Sequence, residues 1–157
     1  MVSRARSNQL SLLLQLLSEA YEKKTWHGPN LRQSLHGVSA RTAAWRPGRG
    51  RHNIWELALH AAYWKYAVRR RLVAGMPASF VLKGSNWFVM PASHTDAEWR
   101  RCKELLEDEH RKMVAVIAKL SPREIQKHVR MVFGVAYHDI YHAGQIRLLR
   151  RLQESRK

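Results

Sequence analysis

The sequence predicts an all-α protein, a four-helix bundle, and three observations carry that prediction. Four stretches repeat apolar residues every three or four positions over several turns, the period of a helix with one buried face. Three of those stretches open behind a residue pattern that caps helix N-termini. Alternation of the kind that makes a half-buried strand is confined to one weak run, "SFVLKG". The 157 residues hold no repeat, low-complexity tract or long linker and are expected to form a single domain over residues 1–157. A chain of that length hides roughly 70% of its unfolded surface and needs no covalent staple.

The first helix is expected from about Asn8 to Lys24, with Leu10, Leu13, Leu14, Leu17 and Tyr21 on one stripe. Gly28 and Pro29 break it. Short helices follow at Leu31–His36 and after Ser39, and "RPGRGRH" (46–52) is a loop. Asn53 with Glu56 three residues later starts the second long helix, which runs to about Ala74 before Gly75 and Pro77. The long connection 75–94 carries Trp87 and Phe88, and aromatics in so long a loop signal function or tight packing. Trp26 and Trp87 are both read as core-packing residues, with an interface between copies as the alternative use. Thr95 and Glu98 open the third helix, in which Trp99, Leu106, His110, Met113 and Ile117 keep helical spacing to about Leu120. Ser121 followed by Pro122 starts a short segment leading into the last long helix, about Arg130 to Glu154.

Lys and Arg number 28 against 12 Asp and Glu, a formal net charge of +16, and such a surface attracts polyanions, nucleic acid among them. The basic residues are scattered, however. The densest groups, Arg69-Arg70-Arg71 and Arg150-Arg151, fall where helices end and complement the helix dipole. The lone Cys102 excludes an internal disulfide and fits a reducing compartment. No apolar run reaches the roughly 18 residues of a membrane span, and the N-terminal residues lack a signal-peptide apolar region. A cytoplasmic protein is expected.

The chemistry concentrates in histidines. His138 and His142 in "HDIYHAGQI" stand four apart and share a helix face, within reach of one ion. Neutral imidazole suits zinc, nickel, cobalt and iron(II), and an open catalytic site takes three protein ligands. His60 is the candidate third, because it lies in an apolar run among Ala58, Ala61 and Ala62, where an unpartnered imidazole would be costly. Gly134 clears space one turn before His138, Trp64 is a candidate cavity wall, and Gln145 could bond a metal-bound water or substrate. The bland alternative is a satisfied core histidine and a solvated pair. His27, His36, His52, His94 and His128 fall in loops or at helix ends and read as ordinary histidines. A zinc-protease scheme would need Asp139 as general base, with a shorter arm than glutamate and little chain left for a further ligand. A di-iron scheme would combine Glu107, His110, Asp139 and His142 with Glu19, Glu22 or Glu56, but "ELLEDEHRK" reads as a solvated face and the scheme leaves His60 and His138 unused. No general base is evident, and Asp139 is expected to buttress a neighbouring side chain.

The runs "NIWELALHAAYW" and "GVAYHDIYHAGQI", supported by "AAWRPGRG" and "GSNWF" with Trp99, resemble the DinB-like (DinB/YfiT) superfamily over about residues 8–152. The resemblance implies an up-down-down-up four-helix bundle, usually dimeric, with one metal-ligating histidine on the second helix and two, four apart, on the last. Carried onto this sequence these are His60, His138 and His142. It also implies one divalent ion, nickel or zinc foremost, with iron, cobalt or manganese as alternatives. Some members of the family are transferases or isomerases that use a low-molecular-weight thiol. A metal-dependent thiol transferase or hydrolase acting on a small molecule is therefore the expected function, with Tyr141 and Gln145 as candidates for orienting the substrate. A basic module for nucleic acid or another polyanion, with a structural or vestigial metal, is the alternative.

Overall fold

Asn53, Thr95 and Ser121 each accept a backbone N–H from the residue three ahead, and each of those residues, Glu56, Glu98 and Glu124, bonds back to the cap's own N–H. These reciprocal boxes satisfy amide donors that the first turn leaves orphaned and fix where three of the long helices begin. The computed structural model describes residues 2–77 and 79–155, with side chains from Asn8 onward. The described helices are α1 (Val2–Tyr21), α2 (Leu31–Leu35), α3 (Ala40–Ala44), α4 (Ile54–Leu72), α5 (Asp96–Ile117) and α6 (Pro122–Glu154). No strand occurs among the described residues, and none of the helices is long and apolar enough to cross a membrane.

Helices α4 and α5 end two to three residues before the expected Ala74 and Leu120, and two helices, α1 and α6, differ more from the sequence expectation. Helix α1 begins at Val2 and stops at Tyr21, short of Lys24. There Ser18 O accepts the N–H of both Glu22 and Lys23, and the buried Asn30 amide donates to Lys23 O and draws the chain off the axis. Helix α6 is one uninterrupted element of 33 residues, not a short segment followed by a helix. Nothing after Pro122 breaks it, and Ile125 and Val132 already face the core.

Four long helices form the bundle, and their contacts give its directions. Trp55 meets Trp99 near the starts of α4 and α5 (ring centroids 5.1 Å apart), and Arg69 meets Glu109 towards their ends, so the two run parallel. The parallel pair requires a long crossover, residues 73–95. His60 of α4 meets His142 of α6, and one turn further along α4 Trp64 meets His138, one turn earlier in α6, an antiparallel pairing. Tyr21 at the end of α1 stacks on His110 of α5, while the earlier Ser11 and Leu14 share a groove with the later Val114 and Ala118, so α1 runs antiparallel to α5 and parallel to α6. The arrangement is up-down-down-up.

The core holds Trp55, Trp99, Leu106, Met113, Ile117, Val132 and Ile146, all nearly inaccessible. Trp99 also donates its indole N–H to Val38 O (2.7 Å), tying the α2–α3 stretch to α5. The crossover is packed: Phe80 and Phe88 are buried against Tyr63 and Tyr66, and Tyr66 donates its hydroxyl to Pro77 O. Trp26 is fully exposed, contrary to the core role read for it. The basic groups also do more than terminate helices. Arg69 bonds both oxygens of Glu109 (3.0 and 2.8 Å) across α4 and α5, and Arg150 donates to the carbonyls of Ser34 and His36.

Candidate metal centre

Helix α4 carries His60 on the face towards α6, flanked by the fully buried Ala58, Ala61 and Ala62, whose small side chains let the helices approach. The register between the helices is pinned below the site by Lys65 and Asp139, both fully buried and ion-paired. Burial pushes the Lys65 ammonium below its ordinary range and the Asp139 carboxyl above its own, while their mutual attraction opposes both shifts. Asp139 therefore buttresses a neighbouring residue, as expected, and is engaged on the wrong side to serve a zinc-protease scheme.

The three candidate histidines converge. Nε2 of His138 lies 3.0 Å from Nε2 of His60 and 3.0 Å from Nε2 of His142. They are the one such group among the described residues that could hold a metal ion. His60 and His142 are buried and His138 is half-buried. The opposite ring nitrogens fix the tautomers. His60 Nδ1 donates to Asn86 O (2.8 Å), and His142 Nδ1 donates to Gln145 Oε1 (2.6 Å). Both rings thus turn an Nε2 lone pair towards His138. One hydrogen on His138 Nε2 can satisfy only one of them, so two acceptors compete for a single donor at a closely packed point. A cation at that point satisfies all three. Tetrahedral zinc at its usual Zn–N length sets its nitrogens about 3.3 Å apart, close to the separation here. Burial, first of all, holds all three imidazoles below the ordinary histidine range. His138 falls to about 3, helped by the charges of His142, His60 and Lys65, and His142 falls to about 4 against the opposing Gln145 bond. The rings are neutral near pH 7, the form that ligates metals.

A cavity of about 660 Å³ opens on the triad, lined also by Arg51, His52, Trp87, Tyr141, Gln145 and Leu149. Tyr141 stands at its exposed rim, and its hydroxyl accepts from Gln145 Nε2 (3.2 Å). Gln145 is committed to His142 and Tyr141 rather than offered to a bound water or substrate. Trp64 walls a different cavity, about 350 Å³ and mostly apolar, on the far side of His138 with Gly134, Val68 and Met131.

Three contributors escape the sequence reading. Asn86 in the crossover takes a positive φ of 65°, a conformation asparagine tolerates better than most residues. It thereby aims its carbonyl at His60 and its side-chain oxygen at Trp64 Nε1 (2.9 Å). Trp87 is not in the core. Its ring lies between His60 (4.0 Å, 9°) and His52 (3.6 Å, 6°) in a three-ring stack. His52 is accordingly part of the site's wall and not an incidental loop residue. The turn residues Ser85-Asn86 were the available signal. The residues of the di-iron scheme do not assemble: His110 is stacked on Tyr21, Glu56 is bound to Arg46, and Asp139 is paired with Lys65. Glu109 and His110 are buried, not solvated, and the acid's partner is Arg69 on the next helix.

The sequence profile of the DinB superfamily matches residues 24–146, which include every residue of the cavity wall except Leu148 and Leu149. No curated protein and no solved structure matches the chain.

Proposed function

Since the chain belongs to the DinB superfamily, we propose that it is a metal-dependent enzyme in which His60, His138 and His142 hold one divalent ion, and that it acts as a transferase or hydrolase on a small molecule. The observation that carries this reading is the convergence of the three Nε2 atoms, two of them fixed as lone-pair donors by Asn86 and Gln145. Nickel or zinc suits three neutral imidazoles best, and iron, cobalt or manganese would also be accepted. Such an ion supplies Lewis acidity that lowers the pKa of a bound water or holds a thiol as thiolate.

The chain's own residues prepare that chemistry. Asn86 and Gln145 orient two ligand rings, Trp87 fixes the plane of His60, and Tyr141 at the rim is placed to orient a substrate entering the cavity. A low-molecular-weight thiol is the proposed co-substrate, drawn in with other anions by the +16 charge. A cytoplasmic homodimer belongs to the same reading. Phe133, Tyr137, Tyr141, Leu148 and Leu152 form an exposed stripe along α6 of the kind a second copy would cover.

The test is elemental analysis of untagged protein beside the His60→Ala, His138→Ala double variant. About one divalent ion per chain, lost in the variant, is the expected result. Equal binding of added metal by both proteins would overturn the reading. The net charge would then make a polyanion-binding bundle the leading function, recognisable by affinity that falls steeply with salt.

A further inference from the structure

A nucleophile arriving at the triad as a thiol or water must lose a proton, and the three histidines cannot receive it. The Nδ1 atoms of His60 and His142 are bonded to Asn86 and Gln145, that of His138 is buried without a partner among the described residues and carries the ring hydrogen when Nε2 serves a cation, and all three Nε2 atoms face one point. Asp139 is locked to Lys65 inside the bundle. Of the other cavity-lining side chains, Arg51 has no acceptor and Tyr141 and Gln145 are engaged with one another.

His52 remains. Its Nδ1 lies 3.1 Å from Glu56 Oε2. A carboxylate only accepts, so Nδ1 carries the hydrogen and Nε2 holds the lone pair. Glu56 is itself held. Arg46 bonds both of its oxygens and also Arg51 O (2.6 Å), while the Asn53 N–H donates to it at 3.2 Å as part of the α4 cap. Burial pushes the Glu56 carboxyl up, but the Arg46, Asn53 and His52 bonds outweigh it and keep the group ionised well below the ordinary range. The face of the His52 ring is fixed by Trp87, which separates it from His60, and its side chain, 45% exposed, lines the same cavity. A base held in one tautomer by a carboxylate, itself clamped by an arginine, is the arrangement that general-base sites use to set direction and stabilise the imidazolium.

We propose that His52 is the proton acceptor of this cavity, with Glu56 and Arg46 as its positioning residues, and that the nucleophile it serves is a thiol or a water. The proposal rests on the metal-site reading above. In the step, the S–H or O–H bond of the nucleophile breaks, directly or through one intervening water. The proton goes to His52 Nε2, and the electron pair stays on sulfur or oxygen. That atom forms its bond to the electrophilic centre as the leaving-group bond breaks, and His52 returns the proton to the leaving group.

The experiment compares zinc-loaded wild type with zinc-loaded His52→Asn, whose side-chain amide can still donate to Glu56 but cannot accept a proton. Each is titrated with 2-mercaptoethanol by calorimetry at one pH in two buffers of different ionisation enthalpy, which counts protons released per thiol bound. Wild type is expected to release few and His52→Asn close to one, with zinc affinity equal within about twofold. Equal proton counts overturn the proposal. So does loss of zinc affinity in His52→Asn, which would make His52 a structural support for His60. Failure of the thiol to bind zinc-loaded wild type overturns it as well. Wild type that binds no zinc would sink the metal reading itself, a distinct result seen before any thiol is added.

Discussion

Single side chains decide the state of the triad. Gln145 determines which nitrogen of His142 is bare, so Gln145→Ala should weaken zinc binding by about 10- to 100-fold, measured by competition with a chromophoric chelator, while leaving helix content unchanged. His110 acts differently. It is buried, its Nδ1 has no partner among the described residues, and burial together with the Lys65 charge holds its pKa down at about 2. In the unfolded chain a histidine protonates near 6.5. Between those values the unfolded state binds the extra proton, so stability falls as pH drops from about 6.5 towards 2 and is intact above 6.5. His110→Phe should flatten the acid limb of urea-unfolding stability by about 1.4 kcal/mol per pH unit between pH 6 and 4, and an unchanged slope would show that His110 does not titrate this way. The triad was legible at this scale because an i,i+4 pair and a lone histidine among alanines are both local patterns. Gln145 was placed correctly but given the wrong partner, since i+3 spacing serves a neighbouring ring as well as a bound water. His110 and Glu109 were misread because a run of charges looks solvated until the groups that neutralise them, such as Arg69, are seen on another helix.

At the scale of elements, the question is what holds α4 and α6 in the register that closes the site. Lys65–Asp139 lies one turn beyond His60 and beside His138, without access to water. Lys65→Met or Asp139→Leu alone strands a buried charge and should cost about 3–5 kcal/mol, whereas the double substitution should recover most of that loss. A double-mutant cycle by chemical denaturation reads the coupling, and additive losses would disprove it. Zinc affinity in the double variant then reports how far the pair, beyond stability, sets the register. The capping boxes at Asn53, Thr95 and Ser121 were readable because each needs only four consecutive residues. Lys65 could have been read in the same way, as a lone ammonium in an apolar run that must have a buried partner. The contribution of the crossover could not. Whether Asn86 and Trp87 reach His60 depends on Phe80 and Phe88 burying against Tyr63 and Tyr66, contacts that no local pattern encodes. For the same reason His52 looked like any loop histidine.

Over the whole molecule, the histidine triad ties together the middle of the bundle and one face of the crossover. Ligand binding to the folded state alone adds stability as RT ln(1 + [L]/Kd), about 2.7 kcal/mol at a hundredfold excess over Kd. For a chain of this size that is a rise in Tm of roughly 5–10 °C. Scanning calorimetry with and without a chelator should show such a shift in wild type and none in His60→Ala. An equal shift in both would place the bound metal elsewhere. The up-down-down-up course follows from the resemblance and from the length of the connection between residues 72 and 96, since two parallel neighbours cannot be joined by a tight turn.

His60 and His138 are separated by 78 residues of sequence, and the second of them sits midway along the last helix. During synthesis, α4, the crossover and α5 leave the ribosome with one of the three converging imidazoles and neither of its counterparts. No three-histidine site exists until most of α6 has emerged and docked. The nascent chain therefore cannot scavenge metal at this position early, when an ion bridging loose histidines could trap a misfolded arrangement. On the metal-site reading proposed above, uptake would be the final act of maturation, by a site that only the finished bundle presents.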